Sequence, residues 1–227
     1  MTRDELILAV ALRMDEITPA AGLSLSVDGT DNNPLYALIL GLIDESVLEI
    51  YTTAPYWRLT QEYIQGVNNI KIVHIVSNDN NSRKIICIKV PDNFLRIAEI
   101  NHPQFLRPIT ELFPEQSDIG KRQHNRFLMG KEAKPIGIMS HAKWSESEVR
   151  EIDCYSLAAN DTSTISDVSA SYIPAPSSSV GSPSTTIRVP DVLLPALEWL
   201  IASRAFSARG DTDHAAVCMQ NAKSLLV

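Results

Sequence analysis

His214 and Cys218 stand four residues apart in a stretch of helical period, so an imidazole and a thiol project from one face, as in helical zinc sites. Asp211 and Asp213 flank the histidine. A tetrahedral site needs two more donors, and no second pair completes it. Packing explains His214 and Cys218 better, and helix capping explains Asp211 and Thr212. Lys121-Arg122, with His124 and Arg126 nearby, is the one short basic cluster. It offers a contact for phosphate or an acidic partner, although such clusters are commonly solvated helix faces. His102, Asp118 and His141 are the scattered candidates for a small soluble enzyme or ligand-binding protein built on the middle of the chain. There is no glycine-rich phosphate loop, G-x-S-x-G elbow, C-x-x-C or H-E-x-x-H pattern. No catalytic, cofactor-binding or metal-ligating residue is assigned, and no cofactor is expected.

The composition is that of a folded chain. Its 227 residues are 44% hydrophobic and 21% charged, enough for one sizeable core or two small ones. No run of 18 apolar residues exists, and Asp4 and Glu5 beside Arg3 do not open a signal peptide, so neither membrane spanning nor secretion is expected. Cys87, Cys154 and Cys218 are odd in number and far apart, which suits small buried hydrophobes in a reducing compartment. A formal net charge of −7 lacks the basic footprint of tight nucleic-acid binding.

The elements that would carry these residues follow from period and punctuation. Thr2 and Glu5 have the form of a capping box opening a helix over 3–17, with Leu6, Val10, Met14 and Ile17 as its stripe. Residues 19–33 read as a loop. Pro34 starts a second helix whose inward side is Leu35, Leu38, Ile39, Leu42, Ile43, Val47 and Ile50, leaving Asp44, Glu45 and Glu49 in water. The aromatics from Tyr51 to Trp57 then seal a core or an interface. β-branched runs at 70–76 and 84–90 flank the turn-rich 77–82 as a hairpin. Short extended or turn-linked segments follow at 94–100 and 105–109, a helix fits within 114–127, and strands resume at 136–139, 149–157 and 169–173. Between Asn160 and Thr186, thirteen of 27 residues are Ser or Thr and three are Pro, so 174–184 reads as a flexible loop or docking arm.

The last 38 residues form a helical hairpin. Asp191 is the expected N-cap, Pro195 lies in the first turn, and Leu194, Leu197, Leu200, Ile201 and Ala205 make the apolar face. Trp199 is the expected anchor. Gly210 suits a left-handed C-cap, and the second helix offers Ala215, Cys218, Met219, Ala222 and Leu225. The expected fold is α+β: a helical bundle platform formed by the N-terminal and C-terminal helix pairs, with a β-rich insertion between them. Its parts are 1–60, 61–189 and 190–227.

This order of elements resembles the head-to-tail connector, or adaptor, proteins of tailed bacteriophages. The resemblance is carried by Thr2-Arg3-Asp4-Glu5-Leu6-Ile7, Ala54-Pro55-Tyr56-Trp57, Ile86 through Ile97 with its Pro91-Asp92 pair, Arg107-Pro108-Ile109, and Val189-Pro190-Asp191 through Phe206. It implies a non-enzymatic virion protein, assembled in the bacterial cytoplasm, that forms a ring at the phage neck. The ring, of 12 copies, sits on the portal protein, contacts adjacent tail or ring proteins, and continues the channel for viral genome ejection. A neighbouring ring of the same tail, including that of a crAss-like podovirus, fits as well. Duplex DNA passes through without sequence-specific binding, and no membrane is involved. The partner-interface candidates are Trp57, Arg107, Leu225, Leu226 and Val227, the last three forming an apolar tip that needs cover. The alternatives are the small soluble enzyme or ligand-binding protein named above and a host-cell interaction module docking through the Ser-rich arm.

Overall fold

The computed structural model describes residues 1–14, 34–76, 82–125, 128–144, 147–157, 164–177 and 186–226. The fold is α+β and divides into two compact units, Met1–Thr60 with Ala175–Val227, and Gln61–Pro174. The second boundary falls where the last strand ends rather than near residue 189. The reason is local pairing: Thr2 bridges Thr186, Ile187 N–H donates to the Met1 carbonyl at 3.0 Å, and the Tyr51 hydroxyl donates to the Arg188 carbonyl.

The first unit is helical. Helix α1 (Arg3–Arg13) begins at the predicted capping box, in which Thr2 Oγ1 accepts from Glu5 N–H and the Thr2 N–H donates to Glu5 Oε2 at 2.7 Å. It buries Leu6, Ile7, Val10 and Ala11, and Met14 caps it. Ile17 and the loop at 19–33 lie outside the described residues. Helix α2 (Pro34–Thr53) buries Ile39, Ile43, Val47 and Ile50, with Leu35, Leu38 and Leu42 half-buried.

Asp191 is not a helix N-cap. It starts a 3-10 turn, Asp191–Leu193, and helix α4 (Leu194–Ala208) begins only after it, with Pro195 in its first turn; Asp191 makes no side-chain cap bond. α4 is buried on several sides because α1, α2 and helix α5 (Thr212–Leu226) all pack on it. Trp199 therefore belongs to the one side left open: it is half-buried, with the Arg13 guanidinium 4.9 Å from its ring centre. Arg13 also pairs with Glu198 at 2.9 Å, and Arg204 with Glu49 and Glu45 of α2. Gly210, at φ 83°, takes the left-handed turn between α4 and α5. Ala215, Cys218 and Ala222 then let α5 lie close, and Ser203 donates to the Ala215 carbonyl at 2.7 Å.

The second unit is built of strands. Its three-stranded sheet runs β1 (Glu62–Ile64), β8 (Ser169–Pro174), β4 (Phe94–Asn101), all antiparallel. Its five-stranded sheet runs β2 (Ile70–Val76), β3 (Ser82–Lys89), β7 (Ser147–Leu157), β6 (Ile136–Trp144), β5 (Leu112–Pro114), with only β5 and β6 parallel. The predicted hairpin is β2 with β3, joined through residues 77–81 outside the described set. One face of the larger sheet gives Ile70, Ile86, Ile88, Ile152 and Cys154 to a core shared with Ile64, Ile97, Ile100 and Tyr172 of the smaller. Of the helix expected within 114–127, the described residues form α3 (Asp118–Arg122), capped by Ser117, whose Oγ accepts from Gly120 N–H. Gly120 itself presses on backbone, since a Cβ there would meet the Glu115 carbonyl oxygen at 2.3 Å. Of the loop expected at 174–184, residues 178–184 lie outside the described set.

Candidate functional site

The other face of the five-stranded sheet carries charge. Register sets Lys71 beside Cys87 and Cys87 beside Asp153, and the two-residue period puts Glu151 on that same face. Ser140, opposite Glu151 on β6, donates to Asp153 Oδ2 at 2.8 Å. Lys71 Nζ lies 2.8 Å from Glu151 Oε2 and 4.3 Å from the Trp144 ring centre, and the Trp144 indole N–H donates to the same carboxylate oxygen. Burial pushes Asp153 up to about 6, with the adjacent Glu151 charge adding to it and the Ser140 and Cys87 hydrogen bonds opposing it. Burial, then the two carboxylates, pushes the Cys87 thiol up. A thiol held protonated is a poor nucleophile.

The ligand atoms of Cys87, Glu151 and Asp153 lie within 4.8 Å of one another, which is close enough for a metal ion. The Lys71 ammonium already supplies positive charge at Glu151, however, and the Trp144 indole N–H bonds the same carboxylate oxygen. The arrangement fits a buried ion-pair network that locks four strands in register better than it fits a cation cage. The sequence carries a readable trace of it. In Glu151-Ile152-Asp153-Cys154, acids alternate with buried apolar residues, so the acids share a face; its partners Lys71 and Cys87 are far away in the chain and gave no local sign.

A second polar region is a cleft of about 610 Å³ between the segment after β4, α3 and the loop before β6. Arg107, Arg122, Lys131 and Lys134 all line it. Backbone bonds hold its walls. Lys131 and Lys134 exchange N–H to carbonyl bonds at 3.2 and 2.8 Å, Leu106 N–H donates to the Glu132 carbonyl, and buried Gln123 bonds both the Ile119 carbonyl and the Gly130 N–H.

The predicted positions separate. Trp57 is 68% exposed and stacks edge-on against Tyr56. Arg107 lies in the cleft. Leu225 is 39% exposed, Leu226 half-buried, and Val227 outside the described residues. Arg58 donates to the Leu225 carbonyl at 2.9 Å, tying the end of α5 to the turn that bears Trp57. His214 is exposed, Cys218 buried, so they do not face a common ligand; His214 instead bonds Asp211 at 2.7 Å and stacks on Phe206, and Asp211 accepts from its N–H. His102 is buried at the end of β4, while Asp118 on α3 and His141 on β6 are exposed, and no described bond joins the three. Arg126 lies outside the described residues. All three cysteines are buried.

No family model and no curated protein matches this chain. Among the described residues no helix is long and apolar enough to cross a membrane.

Proposed function

We propose that this chain is a non-enzymatic structural subunit of a bacteriophage neck ring, joining the portal to the tail and continuing the DNA channel. The observation that carries the reading is the order of the chain: helices from its two ends gather in one unit around α4, and a contiguous strand-built insertion separates them. In this reading the helical unit is the platform of the ring. Exposed apolar side chains on it, Trp57 and Leu225 with Leu8, Leu12 and Val217, are the surface a neighbouring subunit or the portal would cover. A head-to-tail ring closes only at one rotation, so the portal acts as the template that selects twelve copies.

The test is mixing the purified chain with portal and imaging the product. The chain alone is expected to stay monomeric and to ring only on the portal. Truncation after Ala222 removes Leu225 and its bond to Arg58 and is expected to leave the monomer folded while weakening ring joining. A stable ring without any partner overturns the template, and absence of the protein from purified virions overturns the structural role.

A further inference from the structure

We infer that the cleft bounded by Arg107, Arg122, Lys131 and Lys134 is a binding site for a nucleotide-sized organic polyphosphate. Four cations face one space of about 610 Å³ against a single lining carboxylate, Glu111, a formal excess of three positive charges. The chain as a whole carries −7, so this patch runs against the overall sign. Among the described residues none of the four charged side chains has an ion-pair or hydrogen-bond partner. Like charges close together repel, and here backbone bonds hold the main chain that carries them: the reciprocal Lys131–Lys134 pair sets two lysines side by side, and the Leu106 bond to Glu132 brings the residue before Arg107 to the same turn. Such a pre-set positive cavity concentrates anions.

The shape narrows the ligand. The volume lies in the range of small-molecule sites. Its floor is apolar, with Ile109, Phe113 and Met129, so the ligand has a flat or apolar body besides its charge. Two arginines can grip phosphate bidentately, and two lysines add point charges. A nucleic-acid backbone needs no apolar floor, and an extended acidic peptide would be held along a groove by its backbone. The nucleoside triphosphate class satisfies charge and floor together. This inference stands independently of the neck-ring role.

The experiment is calorimetric titration of the full chain with ATP, tripolyphosphate and adenosine, and with a poly-glutamate peptide and duplex DNA as competitors. ATP is expected to bind saturably at one per chain, tripolyphosphate more weakly, and adenosine not at all. The double variant Arg107→Ala/Lys134→Ala is expected to weaken ATP by about tenfold or more. Lys121→Ala, on α3 but not lining the cleft, is expected to change nothing. All these side chains are exposed, so circular dichroism should show unaltered folding. Equal affinity for ATP and adenosine, an unaffected double variant, or tighter binding of the peptide or DNA than of ATP overturns the inference.

Discussion

When ionised, Asp153 shares a small, poorly hydrated space with Glu151, and this sets how the strand unit responds to pH. Its pKa is raised from an ordinary 3.8 to about 6. The folded state therefore holds the proton more tightly than the unfolded one. The stabilisation is complete below about pH 3.8 and is lost as pH rises through about 6. Asp153→Asn keeps an acceptor for Ser140 and removes the charge. It is expected to stabilise the protein by about 1 to 2 kcal/mol at pH 8, the solvent-accessible part of the side chain reducing the full effect, and by nothing at pH 4. Chemical denaturation at the two pH values checks this, and equal shifts at both would contradict it. The Lys71 ammonium sits against Glu151, at 2.8 Å from its Oε2.

Among elements, the residues just before β6 depend on backbone touching backbone. A Cβ on Gly130 would lie 2.0 Å from the Tyr155 carbonyl oxygen on β7, and no side-chain adjustment relieves a clash with backbone. Gly130→Ala is expected to destabilise the protein by more than about 2 kcal/mol and to widen the cleft, measured as a lower denaturation midpoint together with weaker ATP binding. An unchanged midpoint rejects the close approach. The elements legible in the sequence are those whose signals are local. Thr2 with Glu5 marked the start of α1, the β-branched runs marked β2 and β3, and Gly210 marked the turn between α4 and α5. Asp191 misled because a 3-10 turn uses the same Pro-Asp opening as a helix. The pairing of β3 with β7 left no local trace, since Cys87 and Asp153 meet only through the sheet. The cleft is half legible: Arg122 stands in the basic run at 121–126 and Arg107 in Arg107-Pro108-Ile109, but the Lys131–Lys134 turn that joins them depends on distant backbone bonds.

For the whole molecule, the decisive feature is that one unit is continuous in sequence and the other is not. β1 and β8 pair antiparallel, with Glu62 opposite Tyr172, so the strand unit is entered and left at adjacent positions. A fragment spanning 61–174 is expected to fold alone, unfold cooperatively and keep the titration of Asp153, as read by urea melts across pH. A fragment that shows no cooperative transition contradicts the division. The helical unit has a different history during synthesis. α2 is finished at Thr53, but α4, on which it packs, begins only at Leu194, 194 − 53 = 141 residues later. At roughly 5 to 20 residues per second the ribosome needs on the order of ten seconds to cover that gap. Throughout it Ile39, Ile43, Val47 and Ile50 have no α4 to cover them, while the strand unit, complete by residue 174, can already close. The nascent chain is thus expected to close its middle, the strand unit, before its helical unit, and its α1–α2 segment is the part that a chaperone would hold.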